Sequence, residues 1–240
     1  MIFSERHRPQ SVSDLVFAEH HVRDLIYRYA TQRPSKSLLL YGEPGTGKSE
    51  AVRLIAKAIC EHAGLETFEA VHNGADAHPS VFTTILNQAN WQILQGMKRA
   101  LIIIDEVDDY EGKLPSKMRT FIEQHPSVQF LCTTNYIKKI KPALLSRFRA
   151  VEVKKPTNTD WAMRALEIFR AEGCHVSQLQ ITQMLQHFSG DARDLIDLIE
   201  EYILSGHLAA TSSSEQTTGV VSTTVMQLVA QNTPAKRGTP

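Results

Sequence analysis

The sequence has no net charge, its 26 Lys and Arg balancing its 26 Asp and Glu. Overall charge therefore points to no polyanionic partner, although a local basic surface is still allowed. No apolar run approaches the roughly 20 residues that a membrane-spanning helix needs, so no membrane partner is expected. Cysteine is scarce. The three thiols, Cys60, Cys132 and Cys174, are scattered, which excludes a disulfide framework and any spaced zinc pattern. Each lies in or near an apolar segment, where a buried free thiol is the expectation. The ten histidines include no HExxH or comparable pair, and the adjacent His20 and His21 read as surface residues. The opening MIFSERHRPQ is charged from Glu5 onward and has no apolar centre, unlike a secretory leader. A cytosolic location is the expectation. What remains is ordinary for a globular chain of 240 residues, 42% hydrophobic and 22% charged, long enough for one or two domains.

One stretch, 38–59, organises the rest. The apolar run Leu38-Leu39-Leu40-Tyr41 reads as a buried strand and stops at Gly42. A helical pattern (Ala51, Leu54, Ile55, Ala58, Ile59) begins just after Ser49. Between them Gly42-Glu43-Pro44-Gly45-Thr46-Gly47-Lys48-Ser49 is a full match to G-x-x-x-x-G-K-[ST]. Such a loop wraps backbone N–H groups around an anion, and the following helix points its positive end at the same place. Lys48 can reach the β- and γ-phosphates, and the Ser49 hydroxyl suits a Mg²⁺ site. A bland Gly-rich turn would not need the strand before it and the helix after it.

Strands alternate with helical patterns through 1–155, which predicts an α/β fold with a parallel, doubly wound sheet flanked by helices. Pro9 favours an extended lead-in. A helix is expected over 19–29, a strand over 67–71, and a helix over 80–95 with Val81, Ile85, Leu86, Ala89 and Ile93 on its apolar face. The run Ala100-Leu101-Ile102-Ile103-Ile104 suits a strand buried on both faces. Its C-terminal end carries Asp105-Glu106-Val107-Asp108, where open α/β sheets place their ligands. A helix over 116–124 and a strand over 128–132 follow, then Thr133-Thr134-Asn135, a basic segment (Lys138, Lys139, Lys141) and a short strand at 151–153. From 156 to about 205 only helical periodicities remain, predicting a small helical domain. One of its faces is expected to hold Leu179, Met184, Leu185 and Phe188. The segment 206–240, rich in Ser and Thr, is expected to be mostly flexible tail.

Phosphoryl transfer needs metal, charge and an oriented water more than covalent help. Asp105 is placed to hold Mg²⁺ and Glu106 to polarise the attacking water, although acids closing a buried strand can also be plain solvent-facing ends. Asn135 can hold that water or simply favour a turn. Arg147 and Arg193 are either solvated surface residues or charge-neutralising groups for the γ-phosphate.

Taken in order, the phosphate loop, Asp-Glu-Val-Asp, Thr-Thr-Asn, Ser146-Arg147-Phe148 and Gly190-Asp191-Ala192-Arg193 resemble an AAA+ ATPase. Glu5-Arg6-His7-Arg8-Pro9 with Asp14-Leu15-Val16, the turn Asn73-Gly74-Ala75-Asp76, and Met118-Arg119 through Glu123 are similar to the ATPase subunits of sliding-clamp loaders, the replication factor C small subunits and their phage counterparts. The resemblance covers about 1–205. It implies ATP and Mg²⁺ as cofactors, with Glu43, Pro44, Gly45, Thr46, Gly47, Lys48 and Ser49 around the phosphates and Arg8, Pro9 and Val16 near the adenine. It makes Asn135 sensor 1, Arg193 sensor 2 in a helical lid, and Arg147 a finger reaching a neighbouring subunit's site. Lys113, Lys117 and Arg119 would track a DNA backbone. The implied function is an ATP-hydrolysing subunit that assembles with other AAA+ subunits on primer–template DNA and loads a sliding clamp. An ATPase helper for another DNA-bound protein, or a non-hydrolysing ATP-bound scaffold, are the alternatives. Two departures stand out: His7 replaces the family's Tyr, and Phe148 replaces its Cys. The family's C-terminal collar domain also has no counterpart in 206–240.

Overall fold

A computed structural model describes residues 2–64, 70–76, 78 and 80–205. Five parallel strands form one sheet in the order β2-β3-β4-β1-β5: β1 Ser37–Tyr41, β2 Val71–Asn73, β3 Ala100–Asp105, β4 Val128–Thr134 and β5 Phe148–Glu152. Side chains alternate across each strand, so β1 sends Leu38 and Leu40 to one face and Leu39 to the other. The first face is covered by helices α2 (His20–Gln32) and α3 (Lys48–His62). The second is covered by α4 (Val81–Leu94), α5 (Leu114–Gln124) and the one-turn α6 (Pro142–Leu145). Both faces being buried accounts for the unbroken apolar runs of β1 and β3.

A third core belongs to the helical segment: α7 (Asn158–Ala171), α8 (Gln178–Met184) and α9 (Ala192–Leu204). Each of these helices starts with a capping box, Thr157 with Asp160, Ser177 with Gln180, and Asp191 with Asp194. The N-terminal helix α1 (Phe3–Arg6) inserts Phe3 into this third core. The extended lead-in expected there is therefore helical before Pro9, because Phe3 has an apolar pocket to fill.

Several other expectations shift. Helix α2 runs on to Gln32 and stops at Arg33, which is left-handed (φ 49°). Arg33 is held there by Gln129 and by the Arg99 carbonyl, contacts from distant parts of the chain. Strand β2 begins at Val71, and the 67–69 part of the strand expected over 67–71 lies outside the described residues. On α4, Ile93 is 39% exposed, while Gln92 is buried and bonds the backbone of Leu101. Leu179 is 67% exposed. Cys60 and Cys132 are buried, as expected, but Cys174 only partly so. The flexible tail expected over 206–240 also lies outside the described residues.

Candidate active site

The loop between β1 and α3 folds tightly because two of its glycines have no room for a side chain. A β-carbon on Gly42 would sit 2.3 Å from the Val153 carbonyl oxygen, and one on Gly45 would sit 2.8 Å from Asp191 of the helical segment. Lys48, the first residue of α3, is buried and turns back over the loop. Its ammonium donates to the carbonyls of Gly42 (3.0 Å) and Glu43 (2.6 Å) and to Thr46 Oγ1 (3.4 Å). Burial pulls its pKa below the ordinary lysine value, against the opposing charges of Asp105, Glu106 and Asp108. Thr46 is buried too and donates to the Glu43 carbonyl at 3.0 Å. Glu43 and Pro44 complete the loop, and Gly47 ends it in a left-handed conformation (φ 83°) as the cap of α3.

Ser49, one residue on, donates its hydroxyl to Asp105 Oδ1 at 2.8 Å. Thr133, at the end of β4, gives its hydroxyl to the same oxygen. The sheet order makes this convergence possible, since β4 lies between β1, which feeds the loop, and β3, which ends in Asp105. A hydroxyl and a carboxylate are hard oxygen donors, the set that suits a Mg²⁺ ion keeping most of its shell as water and phosphate. Among the described residues, no cluster of three or more His, Cys, Asp or Glu groups offers an all-protein metal cage.

Glu106 adopts a left-handed conformation (φ 55°), unusual for a residue with a side chain. Its N–H donates to Thr133 Oγ1 at 3.1 Å. Its carbonyl lies against Gly74, where a β-carbon would come within 1.9 Å of that oxygen. The Asn73-Gly74-Ala75-Asp76 turn thus packs beneath the acidic turn, shaped by Asn73 Oδ1 accepting from the Ala75 N–H at 2.9 Å. Asn135 follows β4 directly and is half-buried. Thr134 donates to Asp108 Oδ1 at 2.6 Å and accepts from the Tyr136 N–H at 2.9 Å, so it bonds groups on either side of Asn135. No motif assigns roles to Thr133, Thr134, Asp108 or Gly74. The available sequence signal was the Thr pair ending a buried strand next to the acidic one.

Pro9 and Val16 line a cleft with Gly45, Gly47 and the α7 and α9 residues Trp161 and Leu195. Arg8 lies outside that cleft and forks onto Glu50 of α3, with contacts of 3.1 and 2.8 Å. Arg193 is exposed in the first turn of α9, two residues beyond the Asp191 that meets Gly45. Arg147 is not part of this gathering. It pairs with Glu123 at the end of α5, Nε donating at 3.2 Å and Nη2 closer still. Lys113 caps the start of α5, and Lys117 and Arg119 are exposed along it. Arg119 sits one turn before Glu123 and helps to keep its carboxyl ionised.

A phosphate loop between strand and helix, two hydroxyls convergent on one carboxylate oxygen of Asp105, and the 2-3-4-1-5 strand order define a P-loop nucleoside triphosphatase domain followed by a helical segment. Residues 38–155 match the profile of the ATPase family associated with various cellular activities (AAA), and this stretch is an AAA domain. The chain is similar to replication factor C subunit 3 of Oryza sativa subsp. japonica, with 29% identity covering 88% of this chain and 59% of the relative. It is also similar to replication factor C subunit 5 of Homo sapiens, with 25% identity covering 82% and 58%. A third relative, replication factor C subunit 4 of Caenorhabditis elegans, is 26% identical over 80% and 60%. The chain thus spans somewhat over half the length of these relatives.

Proposed function

We propose that this chain binds and hydrolyses ATP as a clamp-loader-like AAA+ subunit in DNA replication. The observation that carries the reading is the meeting of Ser49 and Thr133 on Asp105 beside a buried, inward-turned Lys48. Ser49 and Asp105 would hold Mg²⁺, which when bound neutralises phosphate charge. Lys48 exchanges loop carbonyls for phosphate oxygens, and Glu43 to Gly47 supply backbone N–H donors. Glu106 polarises the attacking water, and Asn135 orients it. Pro9 and Val16 flank the base. Arg193 reaches the γ-phosphate from the lid, and Arg147 leaves Glu123 to serve the site of a neighbouring AAA+ subunit. The exposed Lys113, Lys117 and Arg119 favour contact with the backbone of primer–template DNA, without base reading. The sliding clamp is the proposed client.

Steady-state ATPase rates with and without primer–template DNA test this, for wild type, Glu106→Gln and Arg147→Ala. DNA-stimulated turnover is expected, with a loss of about 100-fold in each variant. Turnover that ignores DNA and survives Arg147→Ala would place the chain with AAA+ helpers of other DNA-bound proteins.

A further inference from the structure

We infer that Asp108 is a positioning residue for hydrolysis, fixing through Thr134 the turn that carries Asn135. The inference rests on the hydrolase reading above and assigns a role to a residue that touches neither nucleotide nor metal in that reading.

The Asp108 side chain is only 4% exposed, so the burial of its carboxylate must be offset by hydrogen-bond donors. Two are present. The Thr134 hydroxyl donates to Oδ1 at 2.6 Å, and the Lys139 ammonium faces Oδ2 at 3.4 Å. The direction of the first bond is unambiguous, because a carboxylate only accepts. Thr134 is fully buried, and its single hydroxyl proton is thereby committed. Its oxygen is left to accept, and it does so from the Tyr136 N–H at 2.9 Å. The relay Tyr136 N–H to Thr134 O–H to Asp108 therefore spans Asn135, with each bond strengthening the other.

The preceding residue builds a second relay of the same form. The Glu106 N–H donates to Thr133 Oγ1, whose proton goes to Asp105. The end of β4 is thus tied twice to the acidic turn, once at the backbone of Glu106 and once at the backbone flanking Asn135. Lys139 secures the Asn135 side from outside, lying 4.7 Å from the Tyr136 ring centroid while pairing with Asp108. Without Asp108 the Thr134 hydroxyl is free to rotate, and of the two ties only the one at Thr133, further from Asn135, remains. Displacements of about 1 Å in such groups cost up to about 100-fold in rate.

The test compares kcat, KM and equilibrium ATP affinity for wild type, Asp108→Ala, Asp108→Asn, Thr134→Val and the Asp108→Ala/Thr134→Val double variant, each confirmed folded by circular dichroism. Asp108→Ala and the near-isosteric Thr134→Val should each lower kcat about 10- to 100-fold, with KM and affinity within about threefold of wild type. Asp108→Asn, which still accepts from Thr134, should recover most of the rate. The double variant should be no slower than the worse single one, since the relay acts as a unit. A folded Thr134→Val enzyme at wild-type rate, affinity lost in step with kcat, or multiplicative losses in the double variant would each overturn the inference. A wild type that binds ATP but never turns it over would instead sink the hydrolase reading.

Discussion

Gly74 shows how one missing side chain lets the acidic turn at Glu106 pack closely. Its α-carbon lies so close to the Glu106 carbonyl that a methyl group there would lie 1.9 Å from the oxygen. Gly74→Ala must push the Glu106 peptide away, and with it the bond from the Glu106 N–H to Thr133. A fall in kcat of about 10- to 100-fold is expected with nucleotide affinity nearly unchanged, because the phosphate loop does not touch Gly74. Titration calorimetry with ATP beside steady-state kinetics would check it, and equal losses in both would point to general unfolding instead. Lys48, Ser49, Asp105 and Glu106 were legible in the sequence as parts of motifs, and the structure brings Ser49 onto Asp105. Gly74, Thr133 and Asp108 were not. Their roles arise from neighbours that only sheet pairing brings close, such as Asn73 beside Asp105. Arg8 shows the converse, since the motif was visible while its Glu50 partner was not.

At the scale of elements, the β2–β3 edge is closed in part by a side chain. Strand β2 is short and pairs with Ile103, Ile104 and Asp105 alone. Further back on β3, the buried Leu101 meets Gln92 of α4, its N–H donating to Oε1 at 2.6 Å and its carbonyl accepting from Nε2 at 2.8 Å. The carboxamide thus pairs both backbone groups of Leu101 as a neighbouring strand would. Replacing it with a residue of similar size but no polar atoms, Gln92→Leu, leaves both backbone groups buried and unpaired. The loss of stability should be about 2 to 4 kcal/mol, measurable by denaturant unfolding. A change within about 0.5 kcal/mol would mean that water reaches that edge. This is also why the α4 face, right at Val81, Ile85, Leu86 and Ala89, was misread at Ile93, because periodicity counts apolar residues and a bonded glutamine is invisible to it. The same blindness put Leu179 inside. Strands β1 and β3 were legible for the opposite reason, as burial on both faces favours unbroken apolar runs.

Across the whole molecule, the N-terminal segment runs between the helical segment and the sheet. Phe3 enters the lid core, His7 Nε2 meets Glu172 at 2.6 Å, and Arg164 donates to the His7 carbonyl at 2.9 Å. Pro9 and Val16 then line the cleft between the two parts. The outer surface carries a second tie, the Arg147–Glu123 pair, which spends inside one subunit the guanidinium proposed to act on another. The hydrogen bond from Arg147 holds the Glu123 carboxyl below its ordinary value of 4.5. A depressed carboxylate keeps its partner above the unfolded-state value and loses it only as pH falls through the folded one. The tie is therefore closed throughout the neutral range and, on the proposed function, competes with assembly there. Both side chains are solvent-accessible, so the competition is modest. Glu123→Ala should lower the protein concentration for half-maximal ATPase by about two- to fivefold at low salt, with the plateau rate unchanged. The shift should shrink as salt screens the pair. A plateau that falls as far as it does in Arg147→Ala would show instead that Glu123 presents the arginine to the neighbouring site, making the pair a part of the trans contact and not its competitor.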